Sequence, residues 1–197
     1  MRGAERVISA LSFSLLSDRL ISRSLSDQSR LPTRKNSPNQ APERSRPYMP
    51  GYEMMFRRDR SSLSWKWAVD HFSKAHNYYF ATARSDGRPH VMPVWGVLLD
   101  RSFYFSTGRS SRKSKNLALN HNCVVCSENA SEAVILEGIA REVGEKSLRT
   151  RFARAYKKKY DWDMRDTKEP IYEVRPRVIF GIRETGDANP TRWRFSD

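Results

Sequence analysis

Apolar positions divide the chain into a sparse part and a dense part. Few occur between Leu31 and Pro50, so nothing there can build a core, and residues 1–60 read as a disordered, basic Ser/Arg/Pro-rich tail. Past residue 61 the pattern becomes periodic. Trp65, Ala68, Val69, Phe72 and Ala75 recur at helical spacing. Tyr78 to Ala83 has strand composition, and Ser85-Asp86-Gly87 is a turn signal. Pro89 to Leu99 is mostly apolar, rich in Val and without helical period, which predicts a strand covered on both faces. Asp100-Arg101 then suits a tight hairpin into Phe103, Tyr104 and Phe105.

Gly108 breaks that strand, and Ser110 or Ser111 is placed to cap a following helix. Such a helix aims free backbone N–H groups and the positive end of its dipole at the preceding loop. Arg112 and Lys113 fall in its first turn, where cations are disfavoured unless an anion is close. That combination outlines a phosphate site. Asn120 to Asn122 ends the helix, and Cys123 to Ser127 is a short strand. Ala133 to Val143 is a longer one, whose central Gly138 signals a bulge or a close backbone approach. Glu145 to Tyr160 predicts a helix with Arg149, Arg151, Arg154 and Lys157 to Lys159 on an outer cationic face. Tyr172 to Ile182, interrupted by Pro176, and Arg192 to Phe195 complete the strands. There is no regular strand–helix–strand alternation and no GxGxxG. The expected fold is mainly β (α+β), an antiparallel barrel with peripheral helices.

Composition narrows the picture only in places. The 197 residues suffice for one well-cored domain with a tail, here residues 61–197. A net charge of +14 attracts polyanions in general and does not choose among nucleic acid, membrane surface and a phosphorylated cofactor. Cys123 and Cys126 share a strand three residues apart and so face opposite ways, which argues against a disulfide or zinc pair. The longest apolar run is about half of what a bilayer span needs, and a cytoplasmic location is expected. His71 and His76 are not at ligand spacing, so no metal site is expected. No HExxH, P-loop or nucleophile–base pair occurs. The first 25 residues alternate apolar groups with Arg and Ser, as targeting presequences do. A start at Met54 or Met55 is the alternative, and residues 1–60 are expected to be dispensable.

Three segments, ATARSDGRPHVMPVWG, FYFSTGRSSRKSKNL and TRWRF, occur in an order and spacing that carry a resemblance. From about Trp65 onward the chain resembles the flavin- and deazaflavin-binding split-barrel family typified by pyridoxamine 5'-phosphate oxidase. The resemblance implies a six-stranded split barrel, usually a homodimer, with the cofactor in a groove between subunits. It implies that Ser111, Arg112 and Lys113 bind the cofactor phosphate and that Thr107 adds a hydroxyl. It places His90, Val91, Met92 and Pro93 beside the isoalloxazine ring, with His90 where the oxidase has an arginine. Trp193 and Arg194 align with residues that close the cofactor site. Trp95 departs from the oxidase, which carries there a lysine serving the substrate phosphate. An indole in place of that charge argues against pyridoxamine 5'-phosphate and for a flat apolar substrate.

What the family resemblance implies is an oxidoreductase holding coenzyme F-420 or FMN and acting on CH–CH type donors or acceptors. The chemistry is the cofactor's, so no catalytic side chain is expected. Trp95 and the compact C-terminus are similar to the deazaflavin-using relatives, and the oligoglutamate tail of F-420 would suit the Arg149–Lys159 face. A flavin or haem carrier or sensor without turnover shares every one of these binding features. A nucleic-acid-binding protein is the third reading, drawn from the basic tail. Phe103 and Phe105, however, read as core residues of a strand and not as a base-stacking platform.

Overall fold

The computed structural model describes residues 42–52, 60–184 and 188–196. The expected presequence or tail up to residue 41, and Met54 and Met55, lie outside the described residues. In chain order the described elements begin with β1 (Glu43–Ser45), β2 (Ser61–Ser62), α1 (Trp65–Lys74), β3 (Tyr78–Ala83), β4 (Pro89–Val94), β5 (Gly96–Leu99) and β6 (Ser102–Ser106). They continue with α2 (Arg112–Leu119), β7 (Asn122–Ser127), β8 (Glu132–Glu142), α3 (Lys146–Tyr160), β9 (Ile171–Arg183), β10 (Ala188–Asn189) and β11 (Thr191–Arg194).

The main sheet is antiparallel and can be walked from β4 through β3, β7, β8, β9 and β6 to β5. Its two end strands, β4 and β5, are consecutive in sequence but do not pair. Only the chain at Trp95 joins them, so the barrel is split there. This corrects the expectation of one strand from Pro89 to Leu99 covered on both faces. β4 is an edge strand with Pro89, Val91, Met92 and Pro93 exposed, and only its last residue, Val94, is buried. Of the core residues expected on this strand, Val94 is one while Val91 and Met92 are not.

Local chemistry explains the corners. Asp100 and Arg101 both take positive φ (47° and 72°) to turn β5 into β6, the twist-matched two-residue hairpin. Between β3 and β4, Gly87 has φ 81°, its N–H donates to the Arg84 carbonyl, and the Arg84 N–H donates to that of Arg88. β9 is 13 residues long because it serves three partners. Its first part pairs with β6, its last part with β11 and its whole length with β8. The β8–β9 register shifts where Glu137 faces Val178 and Gly138 faces Pro176, leaving Arg177 as the extra residue of a bulge. A Cβ at Gly138 would stand 2.2 Å from the Arg175 carbonyl oxygen, so the glycine is what permits the approach. Pro176 sits at the bulge, where a missing donor is tolerated.

Two apolar clusters follow. The larger joins Phe72, Tyr78, Phe80, Phe103, Phe105, Leu136, Val174 and Trp193 inside the barrel. α1 starts at Ser64, whose Oγ accepts from the Trp67 N–H, and buries Ala68 and Phe72 against that cluster. The smaller lies under α3, where Phe152 and Tyr156 meet Val97, Tyr104 and Ile171. More strands are present than the six implied by the resemblance. β1 adds to the outer edge of β11, with Arg44 opposite Trp193, and a short parallel pair joins β2 to β10. β1 lies within residues 1–60, the stretch whose composition reads as tail.

α3 differs from expectation at one residue. Lys159 is not on the outer face. Its Nζ lies 2.8 Å from the Tyr78 hydroxyl and donates to the Gly96 carbonyl at 3.1 Å, beneath the aromatic rings of Tyr78 and Tyr160. Burial drives this amine down from 10.5 to about 8, with Glu128 acting weakly the other way.

Lys159 therefore holds fewer protons in the folded than in the unfolded chain between about pH 8 and 10.5. Its contribution to stability is least favourable below that window and improves as pH rises through it. In Lys159→Met this slope is expected to vanish. Thermal melts of both proteins from pH 7 to 10.5 check it, and equal slopes would show that Lys159 is not desolvated. A chain beginning at Met54 lacks β1 and the buried Pro47 and uncovers the β11 edge. We expect it to melt a few degrees lower, about 2–4 °C for each kcal/mol lost. Coincident melts would restore the view that everything before Met54 is dispensable.

Candidate functional site

The Gly108–Lys113 loop and helix start fold as their residues dictate. Ser111 is the N-cap of α2 at φ −65°, ψ 154°, with its Oγ accepting from the Ser114 N–H at 3.3 Å. Its own N–H donates to the Gly108 carbonyl, and the Thr107 hydroxyl is 3.2 Å from the Ser111 hydroxyl. No acidic residue occupies the first turn of α2. Two buried contacts fix the helix on the barrel: Ser114 Oγ pairs with the Tyr172 hydroxyl at 2.7 Å, and Asn116 Nδ2 donates to Thr82 Oγ1 at 2.9 Å. Lys113, one turn before Asn116 and Leu117, is half-buried on that packed face, whereas Arg112 is exposed.

The inner face of β3 carries Tyr78, Phe80 and Thr82, whose β4 partners are Val94, Met92 and His90. His90 is half-buried beside Thr82 and thus near the start of α2. Desolvation lowers its imidazole below the usual value, and Arg84, Lys113 and Arg112 push the same way. Lys113 is likewise lowered by burial, with no carboxylate acting to raise it. Nearby carboxylates are engaged elsewhere. Glu169 accepts from the Arg109 N–H at 2.8 Å, Glu142 takes the Arg109 guanidinium at 2.7 Å, and Asp86 holds Arg88 at 2.7 Å. The Thr107 and Ser111 hydroxyls thus lie at the start of the helix whose Arg112 and Lys113 act on His90, a combination of groups of the kind that suits a phosphate.

The outer face of the same strands is different. Tyr79 stands opposite Pro93 and Cys126, and Ala81 opposite Val91 and Val124, giving an apolar surface in which Tyr79 and Val91 are each about half exposed, at 52% and 51%. Val91 and Pro93 therefore point away from the cation cluster, while Met92 lies on the His90 side. Trp95, at the split, is 40% exposed and stacks on Tyr160 at 4.8 Å with 4° between planes. Its Nε1 donates to Asn77, and His76 meets it edge-on.

Trp193 and Arg194 are not brought to this cluster. Trp193 is a core residue at 1% exposure, edge-on to Trp65 at 5.7 Å, and Arg194 is exposed on β11 between Glu43 and Val178. Strand alternation explains it: an inward Trp193 needs outward neighbours, so the arginine beside it faces solvent. The residues that sequence reasoning missed are Arg84, Tyr160 and Lys159. Arg84 was accessible by counting in twos from Phe80, but Tyr160 and Lys159 depend on how α3 docks. The two cysteines are free, Cys123 buried and Cys126 half-buried. Among the described residues no group of His, Cys, Asp and Glu could hold a metal, and no helix is long and apolar enough to cross a membrane.

No curated protein matches the chain. Among solved structures, a conserved hypothetical protein from Mycobacterium tuberculosis aligns with a TM-score of 0.57 at 20% identity, covering 65% of this chain and 89% of that one. General Stress Protein 26 from Bacillus anthracis aligns at 0.53 and 20%, covering 66% and 97%. A heme binding protein from Mycobacterium smegmatis aligns at 0.54 and 15%, covering 63% and 55%. These likenesses establish the fold. The sequence model described as pyridoxamine 5'-phosphate oxidase matches residues 68–183, which run from α1 to the end of β9. The chain belongs to the pyridoxamine 5'-phosphate oxidase family of split barrels.

Proposed function

We propose that the protein is an oxidoreductase that holds FMN or coenzyme F-420 and passes a hydride between it and a planar organic substrate. What supports this reading is the pair of cations Arg112 and Lys113 acting on the His90 imidazole, with no carboxylate raising Lys113, beside the mutually hydrogen-bonded hydroxyls of Thr107 and Ser111 at a capped helix start. Such a cluster is costly without an anion and fits a cofactor phosphate. When bound, the cofactor supplies the hydride-carrying centre, N5 of FMN or C5 of F-420.

The chain's own residues bind and orient. Arg112 offers a planar fork to the phosphate and Lys113 a desolvated point charge, while Ser111 and Thr107 add hydroxyls. β4 pairs on one side only, with β3, so its other edge has backbone groups for the rim of a ring, and Met92 stands on the same side as His90. Trp95, held flat by Tyr160 and Asn77, presents an apolar plate to a planar substrate. No proton relay is required of a side chain, so no residue is assigned as an acid or base. A groove of about 560 Å³ lined by Arg154, Lys157 and Lys158, with Arg165 paired to Asp163 at its side, would suit the acidic tail of F-420.

Absorbance and fluorescence of the purified chain after incubation with FMN, F-420 or haem test the reading. Retention of a flavin or deazaflavin spectrum is expected. A Soret band with neither of the others retained would replace the enzyme by a haem-binding protein. With Arg112→Ala the cofactor should bind about 10- to 150-fold more weakly, the loss of one charge-assisted hydrogen bond worth about 1.5–3 kcal/mol. Lys113→Arg should be tolerated better than Arg112→Lys. Unchanged titrations for all three would remove the phosphate assignment.

We also propose a homodimer, with the apolar outer face of Tyr79, Val91 and Pro93 covered by a second copy. Light scattering at micromolar concentration should give twice the chain mass, and Val91→Asp with Tyr79→Arg should return it to one. A monomeric wild type with cofactor bound would refute this.

A further inference from the structure

Arg84 continues the inner face of β3 after Phe80 and Thr82, and its N–H closes the ladder on the Arg88 carbonyl at 2.9 Å. It is therefore the next side chain along from Thr82 on the side where Asn116 docks α2, and diagonal to His90. Its Nε is buried and has no hydrogen-bond partner. Asp86, two residues on, is committed to Arg88 through both carboxylate oxygens: Oδ1 accepts the Arg88 N–H, and Oδ2 accepts Nε and Nη2. Of the charges acting on His90, that of Arg84 is the largest, followed by Lys113 and Arg112, and all are cations.

Resting on the phosphate reading of the α2 start, we propose that Arg84 is a further anion-binding residue of this site. It closes on the phosphate from the sheet side while Arg112 and Lys113 hold it from α2. Three cations acting on one imidazole, with Asp86 the carboxylate that Arg84 also acts on and Arg88 its hydrogen-bonded partner, match a doubly charged phosphate. A phosphate monoester such as FMN and free inorganic phosphate share that chemistry. A buried guanidinium donor with no partner costs free energy in the empty protein, and a phosphate oxygen satisfies it.

The test uses the full-length chain with Arg84→Ala, Arg84→Lys and, as a control on the same turn, Arg88→Ala. FMN is titrated with each, alone and against inorganic phosphate as competitor. FMN affinity is expected to fall about tenfold or more in Arg84→Ala, less in Arg84→Lys, and to stay unchanged in Arg88→Ala. Inorganic phosphate should compete with FMN in the wild type and lose that ability in Arg84→Ala. If it never competes while FMN binds, the anion is recognised only as part of the cofactor, and a selective loss of FMN affinity still supports Arg84. Two ligand-free readouts separate binding from support of the fold. The thermal midpoint of Arg84→Ala should be no lower than wild type, since a cation leaves a crowd of cations. The His90 imidazole, followed by NMR, should titrate at higher pH in Arg84→Ala than in wild type. Equal FMN affinity in Arg84→Ala and wild type, or an unmoved His90 titration, overturns the proposal while the Arg112 result stands. A wild-type chain that binds neither FMN nor F-420 overturns the cofactor reading and this inference with it.

Discussion

The structure depends on how the split between β4 and β5 is held. The two end strands of the sheet meet only through the chain at Trp95, so no ladder closes the barrel there. α3 supplies the missing bonds. The Gly96 N–H donates to the Tyr160 hydroxyl at 2.9 Å, and the Gly96 carbonyl accepts from Lys159 and lies 2.8 Å from that same hydroxyl. Gly96 is obligatory at this corner, since a Cβ would meet the Phe103 ring at 2.2 Å. The amine bears a desolvation cost that a surface lysine would not. In return the corner's backbone polar groups are satisfied away from water. Tyr160 then does a second task by stacking on Trp95, so the side chain that bonds Gly96 also fixes the indole plane at the split.

What was legible in the sequence is what local chemistry decides. The Asp100-Arg101 turn, the Ser111 cap and the Gly138–Pro176 bulge each rest on a residue whose backbone or side chain leaves few alternatives. The nearness of Thr107 and Ser111 at the start of α2 was legible for the same reason, being one helical turn and its loop. Other features need partners far along the chain. Pro89 to Leu99 reads as one apolar run, and only the barrel decides that it breaks at Trp95 and leaves β4 at an edge. Three consecutive lysines give no hint that the third turns inward. Glu43-Arg44-Ser45 has no apolar signal because β1 is held by backbone pairing to β11. Trp193 shows that an aligned residue can serve the core instead of a ligand.

The two faces of β3 and β4 explain why so few residues do so much. Alternation gives the inner face to core, Thr82 and the cations, and the outer face to Tyr79, Val91 and Pro93. A slip of one residue of β4 against β3 would exchange the β4 sets, turning His90, Met92 and Val94 outward and Val91 and Pro93 inward. The turn at Gly87 and the Arg84–Arg88 bond pin that register from one end, and Tyr78 opposite Val94 pins it from the other.

Among the described residues, β4 is joined to the rest of the sheet by one ladder only. The strands opposite it are tied on both sides, and the β6–β9 pairing couples Phe103 to Val174, far apart in sequence. Opening β4 costs the β3–β4 bonds and little buried apolar surface, whereas opening β9 unpicks three neighbours at once. Amide exchange should then divide the molecule into a slow unit of β6, β8 and β9 and a fast one of β4 with its turn. β4 is thus the most readily displaced strand of the sheet, able to detach briefly with the rest of the barrel still folded behind it.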